Sequence, residues 1–184
     1  MKKISFAAIF LLLGFSVVQT LRAQQANTPQ VPIDEDSKKI MYREVVNQDG
    51  TPDYLYDRAI EWFRSYYPNP TSVYTVQDKV NGKIEGIARL TLKYNDPDGL
   101  LRDAGIVQYN IKVELKENRY RYTLTDFTFK TASRYPCEKW LNKADPAYNP
   151  QWDSYIYQID TTMRSLVVKM KDGMKPVVIK KDEW

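Results

Sequence analysis

The chain has 184 residues, 13% of them aromatic, with one cysteine, no histidine and a formal net charge of +4. Without histidine it cannot build a Ser-His-Asp triad, a Cys-His dyad or an imidazole-based zinc site, and a single cysteine excludes an internal disulfide. No staple is needed, since about 160 residues bury roughly 70% of their unfolded surface in one core.

The chain opens with Met1-Lys2-Lys3, an apolar run from Ile4 to Val18, and Ala23 ahead of Gln24-Gln25. A positive start, a short greasy core and a small residue at a plausible cut site predict a secretory signal peptide over 1–23. The run falls short of the roughly 20 apolar residues that span a bilayer, so no stable membrane span is expected after cleavage. Cleavage removes Lys2, Lys3 and Arg22 and no acid, leaving 24 basic residues against 23 acidic ones and a net charge of +1. The mature chain is expected outside the cytoplasm, periplasmic or extracellular and soluble.

Residues 24–30 form a polar leader, and 31–184 read as a single domain. From Lys39 to Val46 the chain alternates as a first strand. Thr51-Pro52-Asp53 supplies an N-cap, a proline at the first helical position and an acid in the first turn. Leu55, Ala59, Trp62, Phe63 and Tyr66 then mark one broad helical face, ended by Pro68-Asn69-Pro70.

Four strands are expected next. Ser72–Lys79 is short and leads to Asn81-Gly82, a tight-hairpin dipeptide. Ile84, Ala88, Leu90, Leu92 and Tyr94 share one face of the following strand, and a loop runs from Asn95 to Gly105. Val107, Tyr109, Ile111, Val113 and Leu115 then alternate with polar residues. In the last strand, RYRYTLTDFTFK at 119–130, Tyr120, Tyr122 and Leu124 are even while Phe127 and Phe129 are odd. A bulge near Thr125-Asp126 accounts for that switch of parity.

Residues 131–150 read as irregular, with three prolines. Trp152, Tyr155, Ile156, Ile159, Met163, Leu166, Val167 and Met170 define a long amphipathic helix, stopped by Gly173 and Pro176. Val177–Ile179 reads as a short terminal strand or a frayed end. The order β-α-β-β-β-β-α predicts an α+β, two-layer domain: an antiparallel sheet of about five strands with both helices on one face.

Several strings match a known pattern: Val31-Pro32-Ile33-Asp34, Lys39-Ile40-Met41-Tyr42 with Glu44-Val45-Val46, and Leu55-Tyr56-Asp57-Arg58-Ala59 with Glu61-Trp62-Phe63. With the element order over about residues 31–172, the chain resembles a family of exported bacterial domains of unknown function described as having a TBP-like fold. The resemblance implies a strand, helix, four-strand, helix sheet and transfers no active site.

The cations among the rings of 119–130 suggest a nucleic-acid surface, and the TATA-binding protein uses its exposed sheet face on the minor groove. A nearly neutral mature chain lacks the clustered positive charge that phosphate binding needs. Arg119 and Arg121 beside Lys112, Glu114 and Lys116 read instead as a mixed-charge, solvated sheet face, so no nucleic-acid partner is expected.

Asp96-Pro97-Asp98-Gly99 lacks the ligand spacing of a calcium loop and reads as a turn. Cys137 reads as a small buried apolar residue. No pair of carboxylates stands out, so no catalytic, metal or cofactor site is expected and the chain is read as a non-enzyme. Two functions remain open. The first is an interaction or structural module of the cell envelope that uses its exposed sheet face or edge, its partner an unknown envelope protein. The second is a binder of an apolar or sugar-like small ligand between the C-terminal helix and the sheet, at Tyr135, Trp140, Tyr148 and Trp152.

Overall fold

The computed structural model describes residues 31–130 and 134–177; the expected signal peptide and leader, and Val178 and Ile179 of the expected terminal strand, lie outside them. The fold begins at Val31, which is buried, and doubles back through a turn that bridges Ile33 to Ile40. Asp34 holds the turn by accepting the Ser37 N–H and hydroxyl at 3.0 and 2.7 Å.

Strand β1, Tyr42–Asn47, leads to helix α1, Pro52–Tyr66. The helix starts where its cap residues dictate: the Thr51 hydroxyl accepts the Tyr54 N–H at 3.3 Å, with Pro52 first in the helix and Asp53 in the first turn. Such a cap contributes about 1 kcal/mol. Four strands follow, β2 at Tyr74–Asp78, β3 at Lys83–Asn95, β4 at Leu101–Lys116 and β5 at Arg119–Lys130. A three-residue strand β6, Arg134–Pro136, and a 3₁₀ turn, Cys137–Leu141, precede the long helix α2, Gln151–Met174.

The strands form one antiparallel sheet in the order β1-β5-β4-β3-β2, with β6 also on β5. Alternation decides the faces. Ile84, Ala88 and Leu92 of β3 and Val107, Tyr109, Ile111, Val113 and Leu115 of β4 are buried beneath the helices, with Ile156, Ile159, Met163 and Leu166 of α2 packed into the same core. The other face carries Lys112, Glu114, Lys116, Arg119 and Arg121 and has no helix over it among the described residues.

The parity switch in β5 is a bulge. Asn110 pairs with Thr125 but Gln108 pairs with Thr128, so Asp126 and Phe127 of β5 oppose Tyr109 alone of β4, and Asp126 takes φ +58°. The Asp126 carboxylate is held on both sides, by the Lys39 ammonium and by the Asn110 side-chain amide at 2.9 Å. Phe127 is thereby turned into the core, stacked on Tyr109 with ring centres 5.6 Å apart.

Three local expectations are corrected. The β2–β3 connection is a four-residue loop, 79–82, in which Gly82 at φ +57° is the last residue rather than the second of a two-residue turn. Asp78 closes the loop by accepting the Asn81 N–H at 3.0 Å and its side-chain amide at 2.7 Å. β4 begins at Leu101, inside the expected loop, because a bulge at Ala104-Gly105, with Gly105 at φ +145°, lets Leu101–Asp103 continue pairing with β3. The stretch expected to be irregular contains β6, which pairs Phe129 with Tyr135 and Thr128 with Pro136. Proline is accepted at such an edge because its missing N–H is not asked to join a ladder.

Among the described residues the β3 edge is only partly covered. Pairing with β2 reaches Gly86, and the Ile87 N–H still donates to the Val73 carbonyl at 2.8 Å. Farther along, the Gln158 side-chain amide from α2 takes both the N–H and the C=O of Lys93 at 2.9 Å. Between them Arg89 and Thr91 share the orientation of Ile87 and Lys93, since alternate residues of a strand point the same way. Their main-chain groups face outward, and no strand among the described residues lies beside them.

Candidate functional site

The structure brings the four sequence-predicted aromatic residues together. Tyr135 lies on β6, Trp140 in the 3₁₀ turn, Tyr148 in the following loop and Trp152 in the first turn of α2. Trp140 sits at the centre, with ring centres 6.4 Å from Tyr135, 6.3 Å from Trp152, 5.6 Å from Tyr155 and 5.3 Å from Phe129. Tyr148 meets Trp152 edge-on at 5.9 Å. Trp140 is buried and the other three are half-buried, so the rings contact one another and join the start of α2 to β5 and β6.

A larger hollow, of about 600 Å³, lies elsewhere, and none of those four rings is in its wall. Trp62, Tyr66 and Tyr67 from the end of α1 form one side, and Thr162 and Lys169 of α2 the other. Leu90 of β3 and Tyr109 of β4 also border it, as does Arg89 at the uncovered edge. Lys169 places a cation on its lining, which holds no acid, whereas alternation turns the Arg89 side chain to the open face of the sheet.

The wall is rigid for reasons visible in its contacts. Trp62 and Tyr66, one turn apart on α1, stack with ring centres 5.1 Å apart, and Tyr67 meets Trp62 edge-on at 6.0 Å. The Lys169 ammonium stands 5.7 Å above the Tyr66 ring. The Tyr67 and Tyr109 hydroxyls share a hydrogen bond at 3.3 Å. Burial pushes both phenols well above their ordinary value, so they stay protonated hydrogen-bonding groups. The Trp62 indole N–H is buried in this wall with no hydrogen-bond partner.

Trp62 and Tyr66 belong to the helical stripe read from the sequence as core. Tyr67 and Lys169 have no place in the sequence reading. The adjacent Tyr66-Tyr67 before Pro68 is the available signal, because it sets a second ring just past the end of the helical stripe.

Elsewhere, carboxylates are engaged in holding structure. The Arg102 guanidinium and the Leu100 and Asp98 N–H groups hold the Asp96 carboxyl below its ordinary value, making it the cap of the β3–β4 turn. Hydrogen bonds from Lys171 and Tyr122 lower Glu44. Glu114 is lowered by Lys112 and Arg121 against an opposing burial effect. Burial pushes the Cys137 thiol far up, with the Glu138 charge adding to it, so the thiolate is disfavoured. Among the described residues no group of three His, Cys, Asp or Glu is placed to hold a metal ion, and no helix is long and apolar enough to cross a membrane.

The one-sided antiparallel sheet under two helices is that of a TBP-like α+β domain. Residues 31–130 match the family described as "Domain of unknown function (DUF4468) with TBP-like fold", and the chain belongs to that family. Two solved structures share the fold. One is a TBP-like protein from Parabacteroides distasonis ATCC 8503, with a TM-score of 0.62 and 15% identity over 78% of this chain and 96% of that one. The other is a DUF4468 family protein from Bacteroides ovatus ATCC 8483, with a TM-score of 0.64 and 16% identity over 82% of this chain and 93% of that one. No protein of curated function matches the sequence.

Proposed function

We propose that the chain is an exported, non-enzymatic interaction module that holds a partner protein at its sheet. The observation that carries this reading is the aromatic, cationic hollow set against an uncovered stretch of sheet edge, a surface built for binding. Its wall pairs no acid with a base, and its two buried phenols are held protonated. The leader at 1–23 supports export. The charges of the open sheet face support a solvated surface over a nucleic-acid one, because Glu114 lies between Lys112 at 3.0 Å and Arg121 at 2.7 Å.

A second reading, a small-ligand binder, is favoured by the volume of the hollow, which falls within the roughly 300–1,000 Å³ of ligand pockets. In that case the ligand lies against Trp62, Tyr66 and Leu90 rather than at Tyr135, Trp140, Tyr148 and Trp152.

The test is recovery of the chain from its native host, with N-terminal sequencing, cross-linking and native mass spectrometry. The module reading expects a mature N-terminus near Gln24 and a cross-linked protein partner. An intact Met1 in the cytosol removes the export assignment, and a bound small molecule with no protein partner gives the site to the second reading.

A further inference from the structure

We propose that the β3 edge at Arg89 and Thr91 takes an extended segment of a partner protein as an added strand, one carrying an apolar side chain flanked by carboxylates. This rests on the reading of the chain as an interaction module and names its site and partner class. The N–H and C=O groups of Arg89 and Thr91 form a short ladder template between two closed ends, the β2 pairing that stops at Gly86 and the Gln158 amide at Lys93. A backbone strand with side chains of alternating direction is the complement of such an edge.

The hollow supplies the specificity. An added strand beside β3 directs every second side chain to the helix side, where half-buried Tyr66, backed by Trp62 and Tyr67, offers an aromatic face. Lys169 borders the hollow, which holds no acid, and Arg89 stands at the same edge with its side chain on the open face, so carboxylates on either side of the incoming apolar residue are favoured and ammonium groups disfavoured. A second copy of this chain fits less well, because pairing β3 with β3 sets the two Arg89 cations close to one another.

Random octapeptides displayed on phage are selected against the mature chain, and the winners are then titrated as free peptides. The selected sequences are expected to combine an aromatic or aliphatic residue with nearby Asp or Glu. Thr91→Pro deletes one outward N–H at a position where an edge tolerates proline, and should weaken these peptides roughly tenfold with the melting temperature kept. Lys169→Glu should weaken them by a similar factor without touching the strand. If Thr91→Pro fails to fold, Arg89→Glu with Lys169→Glu serves as the second test.

Selection of lysine-rich peptides, binding indifferent to these variants, or no enriched peptide overturns the proposal. So does self-association of the free chain that Thr91→Pro abolishes, which assigns the edge to a second copy. None of these outcomes bears on the module reading, which falls only if cross-linking in the native host recovers no protein partner.

Discussion

Gly173→Ala tests how closely the two helices pack. Alanine in place of glycine inside a helix ordinarily stabilises by about 0.8–1 kcal/mol, and less near a helix end. Here an added Cβ would stand 2.6 Å from Trp62 Cδ1, 3.1 Å from Cγ and 3.2 Å from Cβ. The indole cannot move aside, because Trp62 is only 4% exposed and is hemmed in by Phe63, Tyr66 and Tyr67. Overpacking of this kind costs about 1–3 kcal/mol. The Gly173 carbonyl also accepts a hydrogen bond from Arg58, which any shift of α2 weakens. The cost exceeds the gain, and the variant should lose about 1 kcal/mol, or about 2–4 °C in melting temperature for a chain of this size. Urea and thermal melts of Gly173→Ala, Trp62→Leu and the double variant form the assay. In the Trp62→Leu background the sign should reverse, because the obstructing ring is gone. A stabilising effect of Gly173→Ala in the parent would refute the close approach and the reasoning built on it.

Three further outcomes are expected. Gly82→Ala should cost at least about 2 kcal/mol in denaturant melts, because a left-handed backbone is unfavourable for alanine; at φ +57° the new Cβ would also lie 2.5 Å from the Leu115 carbonyl oxygen. Glu44 is held below its ordinary value of 4.5, so its contribution is present above that pH and is lost as pH falls through the folded-state value. Stability of Glu44→Gln should therefore fall less steeply below pH 4.5 than that of the parent, and identical slopes would contradict the assignment. Burial raises Tyr42, Tyr67, Tyr109, Tyr120 and Tyr122 above the ordinary value of 10.0; their contribution is full below that pH and is lost as pH rises. Their tyrosinate absorbance should appear only with alkaline unfolding, and full titration of all 14 tyrosines in the folded chain would contradict it.

The faces of the sheet were legible because alternation is a local property: Val107 to Leu115 needs no neighbour to show which side is buried. The bulge at Asp126 was legible for the same reason, since a parity switch is written along the strand itself. β6 was not, because three residues ending in proline become a strand only through pairing with Thr128 and Phe129. The start of β4 was hidden by the turn residues from Asn95 to Gly99, which draw the eye to a loop although the ladder resumes at Leu101. The hollow depends on where α2 crosses α1, a tertiary outcome that no periodicity in Trp62 and Tyr66 records. The uncovered edge depends on a mismatch in length, five residues of β2 against thirteen of β3, and on which strand sits outermost.

The central claim is that the stretch of the β3 edge left unpaired among the described residues is open to a partner strand. Residue-resolved amide hydrogen exchange measures this directly. Leu90 and Leu92, whose orientation is opposite, face β4 and should be protected, while Arg89 and Thr91 should exchange at least about a hundredfold faster. Equal protection at all four amides would mean that the edge is already covered and would contradict the account.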